Sequence, residues 1–111
     1  MYEYKATVAS VYDGDTIRVD IDLGFNIIMR NESIRLYGID APEIRGIERP
    51  QGLITREKLL TLIPIGSMIT IKTIKDTKEK YGRYLGIIIN SVGINVNDTL
   101  LNENYATPYI E

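Results

Sequence analysis

The sequence predicts a mainly β, α+β domain in which five strands close into a Greek-key barrel that carries short helices. Three observations carry that expectation. Thr16 to Asp22 alternates cleanly, with Ile17, Val19 and Ile21 on one face and Arg18, Asp20 and Asp22 on the other. Asp13-Gly14 lies between two such runs, which is a hairpin signal. No strand–helix–strand alternation is sustained, which argues against a parallel sheet.

In order along the chain, Lys5 to Tyr12 reads as the first strand and Thr16 to Asp22 as the second. Ser33 to Tyr37 is the third, with Ile34 and Leu36 turned inward and Arg35 and Tyr37 leaving the core face. Arg49-Pro50 opens the best helix, because Pro is tolerated in a first turn. Leu53, Leu60 and Ile63 form its expected buried stripe, and Pro64 with Gly66 ends it. Met68 to Thr73 and Arg83 to Asn90 are further strands, joined by a polar connection from Lys75 to Gly82. Within it Lys75, Lys78 and Lys80 are interleaved with Asp76 and Glu79, mainly a solvated face. Asn97 to Asn104 closes the chain as a short helix. The order β-β-β-α-β-β-α suits an OB-type barrel, and 111 residues leave room for one domain, residues 1–111.

Composition narrows the chemistry. A hydrophobic fraction of 44% with 25% charged residues is ordinary for a globular protein. The absence of Cys removes disulfides and thiolate metal sites, and the absence of His removes the commonest general base and metal ligand. Any metal here therefore sits among oxygens. A net charge of -2 argues against nucleic-acid binding by a broad basic surface, but not against a small site where arginines and a cation act locally. No apolar run approaches the roughly 18 residues of a membrane span. The start, Met1-Tyr-Glu-Tyr-Lys-Ala, lacks the apolar stretch of a signal peptide, so a cytoplasmic or already processed secreted chain is expected.

Four segments carry the functional signal: Asp13-Gly-Asp-Thr16, Arg35-Leu-Tyr-Gly-Ile-Asp40-Ala-Pro-Glu43, Lys80-Tyr-Gly-Arg83 and Val96-Asn-Asp98. Each alone reads as turn chemistry. Together they set Asp15, Asp40 and Glu43 beside Arg35 and Arg83 near predicted turns. Oxygen ligands for a hard cation plus guanidinium groups for a phosphate are what metal-assisted phosphodiester cleavage needs. Were Asp15 and Asp40 to converge within ~4 Å, their repulsion would be about 4 kcal/mol at an effective dielectric of 20, which a cation would relieve.

The stretches Val11-Tyr-Asp-Gly-Asp-Thr-Ile-Arg-Val19, Ile34-Arg-Leu-Tyr-Gly-Ile-Asp-Ala-Pro-Glu43, Glu79-Lys-Tyr-Gly-Arg-Tyr-Leu85 and Val96-Asn-Asp98 span nearly the whole chain. In that order they resemble the staphylococcal nuclease (thermonuclease) family. The resemblance implies a Ca2+-dependent nuclease on an OB-fold barrel that leaves 3′-phosphates. Asp15 and Asp40 match the two metal-binding carboxylates, and Ala41 stands where the family contributes a backbone carbonyl. Glu43 matches the residue that activates or orients the attacking water, and Arg35 and Arg83 the pair that grips the scissile phosphate. Asp13 resembles a carboxylate standing behind the metal ligands. Lys80 and Tyr81 align near a terminal phosphate, and Tyr109 with a nucleotide-stacking tyrosine. Ca2+ over Mg2+ rests on the resemblance, since hard oxygen ligands suit both ions. The implied partners are DNA, RNA or both, single-stranded or flexible, and no membrane.

Three departures from the family stand out. The balance of charge is acidic, the loop from Ile44 to Arg49 is shorter, and too little chain follows Tyr109 for the family's C-terminal helix. The last leads us to expect a compact variant of the fold or a dimer. The rival readings are a non-catalytic OB-fold module that binds single strands and a protein-interaction module. The complete carboxylate and arginine set favours the enzyme.

Overall fold

A computed structural model describes residues 2–74 and 78–109. The expected Lys75 and Asp76 of the polar connection lie outside the described residues. Among the described residues seven strands and two α-helices occur in the order β1 (Glu3–Asp13), β2 (Thr16–Asp22), β3 (Ile28–Leu36), β4 (Ile39–Asp40), α1 (Arg49–Leu62), β5 (Met68–Thr73), β6 (Tyr84–Ile89), α2 (Val96–Asn102) and β7 (Thr107–Pro108), with a 3-10 turn at Gly46–Glu48 leading into α1. Five of the strands close into a barrel ordered β1-β2-β3-β6-β5, with β5 pairing back onto β1. Only the β3–β6 seam is parallel among them, and β4 with β7 makes a separate two-stranded sheet. This is the expected five-stranded α+β barrel.

Alternating apolar residues fill the interior. Val8, Val19, Ile34, Leu36, Ile71 and Ile88 are all but inaccessible to solvent. On α1 the buried positions are Gly52, Thr55 and Leu59, with Ile63 buried just beyond its end, whereas Leu53 and Leu60 are only half-buried. The expected stripe through Leu53 and Leu60 is thus rotated, because Thr55 faces inward to donate its hydroxyl to the Tyr105 carbonyl at 2.7 Å. The helix ends as expected, at Ile63 before Pro64 and a left-handed Gly66.

The bounds of four elements differ from expectation, and the first, β1, runs Glu3–Asp13 rather than Lys5 to Tyr12. β3 begins at Ile28 rather than Ser33 and ends before Tyr37. Its early half escapes pattern reading because Asn31 takes a φ of +56° and interrupts the alternation with a bulge against β2. β6 begins at Tyr84, leaving Arg83 just outside the strand. α2 spans Val96–Asn102, capped by the Asn95 side chain accepting from the Asp98 N–H, and Asn104 lies beyond it in the left-handed region. Among the described residues no helix is long and apolar enough to cross a membrane.

One polar side chain stitches the barrel to α2. Asn97 is buried, donates Nδ2 to the carbonyls of Tyr37 (2.9 Å) and Gly86 (3.1 Å), and accepts the Ile88 N–H at 3.1 Å. The Val96-Asn-Asp98 motif therefore pins the ends of β3 and β6 together rather than supplying a reactive group.

Candidate functional site

The β1–β2 hairpin turns through Gly14-Asp15, with Asp13 opposite Thr16. Asp15 donates its backbone N–H to Asp13 Oδ1 at 3.1 Å, a local bond that favours this turn. A Cβ on Gly14 would overlap Thr55 and Ala41, so only glycine lets the hairpin settle against α1 and the Ala41 segment. Asp15 is also tied to β3, because its carbonyl accepts the Leu36 N–H at 2.8 Å. Its carboxylate accepts the Ala41 N–H at 2.8 Å and the Thr16 hydroxyl at 3.2 Å.

Arg35 leaves the core face as expected, between inward Ile34 and Leu36, and is nonetheless buried. The face it occupies is covered by the end of the chain, where β7 pairs with β4 and the Tyr109 N–H donates to the Gly38 carbonyl at 2.9 Å. Tyr109 sets its ring 5.6 Å from the Arg35 guanidinium. Arg35 Nη1 donates to the Leu36 carbonyl at 2.9 Å and lies 3.5 Å from Asp15, while Nη2 lies 3.8 Å from Asp40. Asp15 and Asp40 thus share one guanidinium.

Burial, and after it the negative charge of Asp13, pushes the Asp15 carboxyl up to about 6. The like charge that matters here is Asp13 in the same hairpin, not Asp40 as the sequence suggested. A buried carboxylate held with this little compensation is a group that a divalent cation would stabilise in its ionised form. The donors present fit a hard cation: Asp15, the half-exposed Asp40 and the Ala41 backbone beside them. Among the described residues no three acidic side chains gather into a ligand set, so water and phosphate oxygens would complete such a shell.

Glu43 is exposed on the loop after β4. Its N–H donates to Glu48 Oε1 at 3.2 Å, and Arg49 Nη1 holds the Ile44 carbonyl at 2.8 Å. A Cβ on Gly52 would collide with the Glu43 carbonyl, so this glycine of α1 allows the loop to lie against the helix.

Arg83 meets a partner that sequence reading passed over. Glu79, assigned there to a solvated face, accepts Arg83 Nε and Nη2 at 3.2 Å each, and the backbone N–H groups of Tyr81 and Arg83 at 2.9 Å each. The ion pair lowers the Glu79 carboxyl and raises the Arg83 guanidinium from their ordinary values. The signal was present in the spacing, since an acid four residues before an arginine reaches it readily across a tight turn.

One cleft of about 250 Å3 is lined by Tyr12, Asp13, Asp15, Thr16, Arg35, Asp40, Ala41, Glu43 and Arg83. The structure therefore brings together Asp13, Asp15, Arg35, Asp40, Glu43, Arg83 and the Ala41 backbone, but not Lys80. Tyr109 reaches it through Arg35. Tyr81 lines an adjoining cleft, whereas Lys80 lies against the Tyr81 ring at 5.0 Å and lines neither. Two carboxylates, two guanidinium groups and a loop carboxylate around one space can bind a phosphodiester, neutralise it and hold a water beside it.

Comparison with known proteins places the chain in a family. The chain is 32% identical over 115 residues to the protein named Endonuclease YhcR of Bacillus subtilis (strain 168), a match covering 96% of this chain and 9% of that protein. The chain thus spans about a tenth of the relative's length. Residues 33–111 match the family model described as staphylococcal nuclease homologue, and the chain belongs to that family.

Proposed function

We propose that this chain is a nuclease that hydrolyses phosphodiester bonds of DNA or RNA with the help of a divalent cation, Ca2+ in first place, and leaves 3′-phosphates. The observation that carries this reading is the convergence of Asp15, Arg35, Asp40, Glu43 and Arg83 on one cleft. Membership of the family and the name of the Bacillus relative support the reaction class.

The roles follow from the side chains. Asp15, Asp40 and the Ala41 carbonyl would hold a hard cation, whose chemistry there would be to polarise a phosphoryl oxygen and acidify nearby water. Glu43 holds the attacking water and takes its proton as the new bond to phosphorus forms, while the bond to the 5′ oxygen breaks and that oxygen leaves with the electron pair and takes up a proton from solvent. Arg35 and Arg83 stabilise the charge that builds on the phosphoryl oxygens more than that of the ground state. Glu79 engages Arg83 through Nε and Nη2, and a guanidinium has five N–H donors, so a pair on the Nη1 side stays free for phosphate. Glu79 orients this arginine without consuming it.

The test is cleavage of single-stranded DNA and of RNA by the purified chain with Ca2+, Mg2+ or EDTA, beside Glu43→Ala. Ca2+-dependent cutting that EDTA and the substitution both abolish is the expected result. Binding without cutting under every metal would replace the nuclease with a non-catalytic OB-fold module.

A further inference from the structure

The catalytic cleft does not end at Glu43. A second cleft of about 650 Å3 is lined by Tyr12, Asp13, Glu43, Ile44, Arg45 and Tyr81, and the first three residues are common to both. Its volume lies within the roughly 300–1,000 Å3 of small-molecule sites. Building on the nuclease reading, we propose that this second cleft is a subsite for the nucleotide next to the scissile phosphate, its base stacked on Tyr12 and its own phosphate on Arg45.

Tyr12 sits at the end of β1 between buried Val11 and Asp13, so the strand's alternation turns its ring outward, and it is 48% exposed. Its hydroxyl accepts a hydrogen bond from Arg45 Nη2 at 3.0 Å. That bond joins the hairpin to the loop after β4 and fixes the ring before any ligand arrives, which lowers the entropy cost of stacking. Arg45 keeps its other N–H donors for an anion. Tyr81, on the far wall, is a poorer platform because Lys80 Nζ at 5.0 Å and the Arg83 guanidinium at 5.4 Å already lie against its ring.

Charge sorts the parts of the ligand. Asp13 and Glu43 on the shared wall repel a phosphate, which leaves that wall to the uncharged base and the outer wall, with Arg45, to the phosphate. A base stacked on Tyr12 has left its own stack, so the subsite selects a single strand over a duplex.

The experiment measures binding of fluorescein-labelled oligothymidylates of increasing length, from a dinucleotide upward, with phosphorothioate linkages that resist cutting, in Ca2+. The intact chain should show an affinity step of about tenfold when the strand grows long enough to fill the subsite. Tyr12→Ala and Arg45→Ala should each abolish the step, Tyr12→Phe should keep most of it, and a duplex of equal length should show none. Both residues are on the surface, and an unchanged circular dichroism melt checks that the variants fold. A step that persists in both alanine variants, or is missing from the intact chain, overturns the subsite. The two readings separate: a chain that shows the Tyr12-dependent step but cuts no normal linkage keeps the subsite and loses the nuclease. One that cuts without any step does the reverse.

Discussion

Asp15, in the tight β1–β2 turn, and Arg35, on β3, are each less than a tenth exposed, whereas Asp40 at the end of β4 and Glu43 and Arg83 on loops stand more open to solvent. The barrel pair is fixed from several directions at once: the hairpin turn, the Ala41 N–H, the Leu36 carbonyl and the Tyr109 ring. Its geometry is inseparable from folding. The loop groups are braced by single acidic side chains, Glu48 behind Glu43 and Glu79 behind Arg83. A cleft built this way has one wall set in advance and another that adjusts to a strand as it enters. Each prediction below tests that division.

The largest effect is expected from Arg35→Ala. It should lower cleavage by about 10²–10³-fold, as loss of a well-placed charge-stabilising donor does. It should also cost about 3 kcal/mol in urea unfolding, because Asp15 is left buried without its cation. Arg83→Ala should lower cleavage by a similar factor yet leave the unfolding midpoint nearly unchanged, since its ion pair is partly solvated. Equal stability losses in the two variants would erase the contrast between the walls.

A smaller effect separates them by pH. In metal-free protein the folded state holds the Asp15 proton up to about 6, against 3.8 for an ordinary aspartate. The folded state therefore binds more protons than the unfolded one between those values, and stability falls as pH rises through that window. The drop should be on the order of 2–3 kcal/mol by urea titration, absent in Asp15→Asn and reduced by Ca2+. A flat profile in the native chain would mean that Asp15 is better compensated than its surroundings indicate.

The smallest effect belongs to the brace. Glu79→Gln keeps the shape but weakens the grip on Arg83, and cleavage should fall about tenfold with the melt unchanged. An undiminished rate would show that Arg83 finds its position without help.

Much of this division was legible in the sequence. Alternation delimited Thr16–Asp22 and Met68–Thr73 to the residue, because both strands are regular and have one face in the core. Asp15, Arg35, Asp40, Glu43 and Arg83 do meet in one cleft, though Lys80 does not join them. What the pattern could not carry was anything decided by distant chain. The burial of Arg35 cannot be read from its neighbours, and only the pairing of β4 with β7, which brings Tyr109 to it, shows that its face is covered. The early part of β3 was lost to a bulge at Asn31. Glu79, Tyr12 and Arg45 went unnoticed because a charged or aromatic side chain on a polar stretch has many ordinary explanations, and only its partner distinguishes it.

The parallel seam between β3 and β6 joins Ile34 to Tyr84 and Leu36 to Gly86, residues separated by nearly half the chain. Everything before it, the meander of β1, β2 and β3, is local in sequence and can assemble early. Closing the seam must wait for a long loop to come together, and it is the step that carries Arg83 to Arg35. During synthesis, then, the chain holds Asp15, Arg35, Asp40 and Glu43 for some time without the second arginine. A chain whose barrel is still open lacks the second arginine, so in the proposed nuclease the topology would tie activity to closure of the barrel.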